Sequence, residues 1–332
     1  YTRAHVRRQM PSGWEFVLDE LLHIQRDEEA NQHRYHDMIL DSIIATGAAD
    51  NVIAALAALI KSLAVDRLHV VGDIFDRGPE PAGIVETLMR QRHIDIQWGN
   101  HDILWLGAAC GSPSCVFTVL RITCDYGNEL TLERRYGVSL RALAEFCERV
   151  YGSSDKKVRK LALSVLGFKL EGQVIMRHPG YGMDDRLMLE RINYNDWTVK
   201  LDTGVYPLNT THLPTIDPAE PYRLSSEEQA LVDEYVDAFE DSQSLRRHLN
   251  FIYQRGSTYL TCNGNLLYHG CIPLTKDGGF AQVRHGGKWY SGKALMDYAD
   301  AVVKSAWVSG EESALDMMWY LWCGNNSPFS GR

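Results

Sequence analysis

Two short apolar runs, each cut off by a glycine and followed at once by carboxylate, amide or imidazole side chains, constrain this chain most. Leu68-His69-Val70-Val71 ends in Gly72-Asp73, and Ile94-Asp95-Ile96-Gln97-Trp98 ends in Gly99-Asn100-His101-Asp102. Their β-branched residues and glycine stops predict buried strands. Between them Pro79 and Pro81 open a helix with Ile84, Val85, Leu88 and Met89 as its apolar positions. A strand–helix–strand crossover normally sets its strands side by side and parallel, with helices on the faces. An α/β fold follows. Both polar ends reach one rim, where ligand sites of open α/β sheets collect.

The rest of the 332 residues is read more coarsely. Residues 1–47 have helical spacing, and Asp50 is placed as the N-cap of a helix over 52–63. Helical patterns run through 103–150 and 157–166, and residues 179–223 are rich in loop residues. Ser225-Ser226-Glu227-Glu228 starts a helix that runs to about Asp241. Strands 257–261 and 266–269 flank the hairpin signal Asn263-Gly264, and Lys276-Asp277-Gly278-Gly279 is a further turn. A final helical stretch covers about 293–323. The organisation expected is one catalytic domain over 1–332: a helical lead-in over 1–66, a core with the motifs over 67–292 and a helical end over 293–332.

The loop Gly72-Asp73-Ile74-Phe75-Asp76-Arg77-Gly78 packs two anions and a cation together, which is costly unless something charged is bound. A carboxylate can bridge two divalent cations, and a water between cations about 3.5–4 Å apart becomes acidic enough to act as nucleophile. Asn and His suit Mn, Fe or Zn. A further histidine, oriented by a carboxylate, can protonate a leaving oxygen. An arginine can clamp phosphate through two hydrogen bonds. The net charge of -9 argues against a nucleic-acid surface, yet leaves phosphate substrates open, because a local metal pair outweighs a weak global charge.

GDxxDRG followed by GNH and an acid resembles the calcineurin-like metallophosphoesterase superfamily, whose fold is a sandwich of sheets flanked by helices. The resemblance implies that Asp73 bridges both metals and that Asn100 binds the second. His101 would be the general acid, oriented by Asp76, and Arg77 would contact the phosphate. His269, in Leu266-Leu267-Tyr268-His269-Gly270, matches a later strand that ends in a ligand of the second metal. Further stretches narrow the likeness, among them Phe168-Lys169-Leu170-Glu171-Gly172-Gln173, Tyr290-Ser291-Gly292-Lys293 and Met317-Met318-Trp319-Tyr320-Leu321-Trp322. They resemble the bacterial class III fructose-1,6-bisphosphatases along the whole chain. That family implies hydrolysis of fructose 1,6-bisphosphate to fructose 6-phosphate and phosphate, usually with Mn2+, as a gluconeogenic step in the cytoplasm.

Two elements of the pattern are absent: no histidine has Asp two places before it, and no Gly-His pair exists. With no Met at the start and a stop at Ser330-Gly331-Arg332 directly after a strongly apolar stretch, this reads as an internal fragment. Such a piece would bind the second metal weakly and the first not at all, and would hydrolyse the substrate negligibly. Two rival readings remain: another phosphatase of the superfamily acting on protein or nucleotide, and a non-catalytic fragment. Single residues also admit more ordinary readings. Asp73, Asp76, Arg77, Asn100 and His101 could form a loop ion-pair network, and His269 could be a satisfied strand-end histidine. Asp102 reads as a supporting or helix-start carboxylate, and His69 as structural. His178 with Asp184 and Asp185 reads as a turn whose acids cap a helix near Arg186, and Met317 to Trp322 as core. The seven scattered cysteines lack metal spacing and read as reduced, mostly buried thiols. No apolar run is long enough to span a membrane. The apolar end stretch would suit an interface in a homo-oligomer.

Overall fold

Residues 2–24 and 30–330 are described by a computed structural model. The chain ends, residues 1 and 331–332, and the stretch 25–29 within the expected helical lead-in lie outside them. The chain divides into two units, 1–68 and 69–332.

The first unit is helical: α1 (Arg3–Gln9), α2 (Glu15–Leu22), α3 (Ala30–Ala45) and α4 (Ala49–Ala64). Val52, Ala55 and Leu59 recur at helical spacing on α4 and are buried with Met10 and Leu18. Asp50 is not the cap. Gly47 turns with φ 67° and α4 restarts at Ala49, so Asp50 falls in the first turn, where its charge still complements the helix dipole. No single helix is long and apolar enough to cross a membrane; α3 and α4 pass that test only together and meet at a 114° bend.

The second unit begins with the expected strand–helix–strand: β1 (Leu68–Val70), α5 (Pro81–Leu88) and β2 (Ile94–Gln97). Helices α6 (Asn100–Ala109), α7 (Pro113–Tyr126), a π-helix (Thr131–Tyr136), α8 (Arg141–Tyr151) and α9 (Lys156–Arg177) follow. Within the loop-rich stretch lies a small sheet, β3 (Ile192–Asn193), β4 (Thr198–Leu201) and β5 (Gly204–Pro207). Next come α10 (Ser226–Asp241), α11 (Gln243–Arg255), β6 (Gly256–Ser257), β7 (Tyr259–Cys262) and β8 (Asn265–Tyr268). The chain closes with β9 (Gln282–His285), β10 (Lys288–Ser291), α12 (Gly292–Ser309) and α13 (Glu312–Cys323).

The fold is α/β with helices predominating and small sheets. The sheet that carries the motifs has the order β1-β2-β6, with β2 and β6 parallel through Ile96–Gly256 and Gln97–Ser257. Helix α6 forms its hub. His101 to Ala109 are all buried, and α7, α10, α11, α12 and α13 pack around them. A helix apolar on every side has to be enclosed in this way. The Met317 to Leu321 stretch of α13 packs on α6 and is fully buried there, so its apolar surface is used inside the chain and gives no support to an interface between copies.

Several local expectations need correction. The helix begun near 157 continues to Arg177. The 103–150 pattern is broken at Gly111, Gly127 and Gly137, each in the left-handed region. Pro79 stays in the loop and Pro81 opens α5. No helix starts near Arg186: Asp184 to Arg186 form a single 3-10 turn. The end stretch is two helices, parted at Gly310 with φ 62°. Other expectations match closely. Ser225 and Glu228 form the reciprocal cap of α10, which ends at Asp241. Asn263 and Gly264 both have positive φ, as a two-residue hairpin turn requires.

Candidate metal centre

The centre is built where the ends of β1 and β2 run into their loops. Gly72 (φ 88°) and Gly99 lie so close that a Cβ on Gly72 would sit 2.4 Å from the Gly99 nitrogen. A Cβ on Gly99 would sit 2.2 Å from Asp73 Oδ1. Only glycine fits at either position, and this contact brings the two loops together. Asp73 itself is left-handed, with φ 55°, a conformation that Asp tolerates at some cost in strain.

Asp102 fastens both loops from beneath. It is fully buried and accepts from the backbone N–H of Asp73 at 2.8 Å, Phe75 at 3.2 Å and Gly99 at 2.9 Å. Burial pushes its carboxyl up to about 6, against the pull of these donors. It is the supporting carboxylate the sequence suggested. Asp73 Oδ1 accepts from the His101 backbone N–H at 3.1 Å, so the start of α6 is tied to the carboxylate.

Above this base, Asp73, Asp76 and His101 each offer a ligand atom, all within 4.8 Å of one another. His101 is buried; its Nε2 lies 3.0 Å from Asp76 Oδ1 and its Nδ1 is buried without a hydrogen bond. Asp76 Oδ1 is likewise buried without a hydrogen bond, because neither His101 nor Arg77 (Nε at 3.3 Å) approaches in line. Arg77 is half-exposed and lies 5.3 Å over the Tyr126 ring. Asn100 is half-buried in the first turn of α6, next to His101.

His269, just past β8, brings its Nε2 to 3.3 Å from Asp73 Oδ2. Its Nδ1 is 2.6 Å from the Val71 carbonyl, so Nδ1–H donates there and Nε2 faces the site. That is the arrangement of a metal-binding histidine held by an outer carbonyl. The hydrogen bond to Asp73 raises the His269 pKa. Burial works against ionisation of Asp73, but the bond to His269 and the nearby His101 hold its carboxyl below the ordinary value. A divalent cation would replace the proton these two share. Burial lowers the His101 pKa, with Asp76 and Asp73 pulling it partly back. Carboxylate oxygens, imidazole nitrogen and two buried polar atoms without hydrogen bonds are a donor set that fits Mn, Fe or Zn.

The other sequence candidates lie elsewhere. His69 bonds Asp95 at 2.8 Å and is structural. His178 bonds Asp316 at 2.9 Å instead of joining Asp184 and Asp185. All seven cysteines are free, and burial pushes the thiols of Cys110, Cys115 and Cys124 up to about 12, which makes them inert. Sequence reasoning missed Asn128 and Thr131, which donate to the carbonyls of Arg77 and Pro79, both at 2.8 Å. About 50 residues separate each pair and no motif marks it, so no local signal could have found them.

The whole chain, residues 1–332, matches the family described as Firmicute fructose-1,6-bisphosphatase. The chain belongs to this family. Among its curated relatives is the class 3 fructose-1,6-bisphosphatase of Clostridium novyi, 43% identical over 100% of the chain and 54% of the relative. The namesake from Porphyromonas gingivalis is 44% identical over 99% of the chain and 54% of the relative. That from Listeria monocytogenes is 41% identical over 100% and 55%. The chain therefore spans about half the length of the fructose-1,6-bisphosphatases it matches. No solved structure matches it.

Proposed function

We propose that this chain carries the catalytic rim of a Mn2+-dependent fructose-1,6-bisphosphatase, a gluconeogenic enzyme of the cytoplasm. One observation supports this reading above the rest: Asp73, Asp76 and His101 converge within 4.8 Å, on loops whose sequence is the family's own. Bound cations would supply Lewis acidity and an acidified water. Asp73, Asn100 and His269 would hold one cation, and Asp73 would reach toward a second. Asp76 would orient the His101 ring, and burial makes the protonated ring a strong acid toward a leaving oxygen. The N-terminus of α6 and Arg77 would draw in the phosphate. The division into lead-in, core and end stretch over 1–66, 67–292 and 293–332 is part of the same reading.

Two measurements test it. Calorimetric titration of Mn2+ into the chain should show binding that Asp73→Asn abolishes. A version completed to the relatives' length should release phosphate from fructose 1,6-bisphosphate in preference to a phosphopeptide or a dinucleoside polyphosphate. Preference for either of those two would replace the substrate reading with another phosphatase of the same chemistry.

A further inference from the structure

One turn of chain grips Arg77 at both of its ends. Helix α7 stops at Tyr126, and Gly127 reverses the backbone in the left-handed region, with φ 75°. The N–H groups of Gly127 and Asn128 both donate to the Thr123 carbonyl, which closes the turn on the helix. Two side chains are thereby set against the same residue. The Tyr126 ring lies 5.3 Å from the Arg77 guanidinium, and Asn128 Nδ2 donates to the Arg77 carbonyl at 2.8 Å. Thr131, at the head of the π-helix, holds the Pro79 carbonyl in the same way, also at 2.8 Å.

Arg77 needs such support. Its side chain is 56% exposed, and its ion pair among the described residues is with the adjacent Asp76, whose Oδ1 lies 3.3 Å from Nε. Among those residues neither Nη group donates to the protein. A long side chain left that free loses rotamer freedom whenever it takes up a ligand, and this loss weakens binding. A ring beside the guanidinium confines it beforehand, and at an exposed site such a contact is worth a factor of about two to five. Tyr126 is itself 53% exposed, so its ring adds little to the core. With Nε beside Asp76, the Nη pair is the fork left for an oxyanion.

We propose that Tyr126 and Asn128 are positioning residues: Tyr126 fixes the guanidinium of Arg77 and Asn128 its backbone, so that the Nη fork is presented to the phosphate. This rests on the functional reading above, in which Arg77 contacts the phosphate, and adds what aims it.

Methylphosphonate has the charged oxygens of a phosphate monoester and no ester to hydrolyse, so its calorimetric binding to the chain in saturating Mn2+ reads the contact without turnover. Affinity should fall about threefold in Tyr126→Leu and about fivefold in Asn128→Ala. Tyr126→Phe, which keeps the ring, should bind as wild type does. Mn2+ affinity should be the same in all of them, and the thermal midpoint the same in both Tyr126 variants. In an Arg77→Gln background Tyr126→Leu should cost nothing further, because its effect passes through the arginine. Wild-type affinity in Tyr126→Leu would overturn the proposal, as would an equal loss in Tyr126→Phe or an undiminished loss in the Arg77→Gln background. Arg77→Gln alone separates the two levels. If it weakens binding while the Tyr126 and Asn128 variants do not, only the positioning role falls. If it leaves binding unchanged, or wild type binds no methylphosphonate, the phosphate contact of Arg77 falls and the positioning role with it.

Discussion

Asp102 would touch neither metal nor substrate in this arrangement, yet three backbone donors from two loops end on it. Asp102→Ala strands these buried N–H groups, and the expected loss is about 3 kcal/mol of stability. A urea titration should show it, together with at least tenfold weaker Mn2+ binding because Asp73 is no longer held. Asp102→Asn, which keeps one acceptor oxygen, should lose less of both. At this scale the sequence was informative wherever a residue's role depends on its neighbours in the chain. Asp73, Asp76, Asn100, His101 and Asp102 sit in two short strings whose glycines advertise a close approach. The contact between His269 and Asp73 spans about 200 positions, and only the family pattern anticipated it.

Elements are joined by a clasp that the sequence did not show. Asp316 on α13 takes a forked pair of bonds from Arg177 at the end of α9, at 2.8 and 2.7 Å, and a third from His178 at 2.9 Å. Burial opposes its ionisation, but these partners hold the carboxyl below its ordinary value of 3.8. A carboxyl depressed in the folded state stabilises the chain at any pH above the unfolded value. That contribution disappears as pH falls through the lower folded value. Asp316→Ala should therefore cost about 2 kcal/mol near neutrality, with Arg177 partly screened by solvent. Denaturation measured from neutrality down through about pH 3 should show a flatter acid limb for the variant than for wild type. Helix existence was legible from apolar spacing, as in α4 and α10. Helix ends were less so, because Gly47 and Gly310 reset the start of α4 and the split of the end stretch through left-handed turns that spacing does not reveal. The β3–β5 sheet escaped notice because prolines and glycines mask its short strands.

At the scale of the molecule, the chain spans about half of each relative and holds no Asp-x-His or Gly-His pair. Of the ligands expected for the first metal it presents Asp73 alone. The purified chain should bind Mn2+ weakly and release no measurable phosphate from fructose 1,6-bisphosphate; release above the metal-free blank would contradict this. Its α/β class was legible because one crossover unit announces it. The enclosure of α6 by five helices was not, since that depends on contacts across the whole second unit.

The left-handed Asp73 sets folding and chemistry against each other. Glycine there would relieve the backbone and remove a negative charge from beside Asp102. In a library randomised at position 73, selection for thermal tolerance alone should enrich glycine, and selection for manganese retention should return aspartate. Sequencing the two survivor pools would show whether this residue is kept for what it holds at the expense of how well the chain folds.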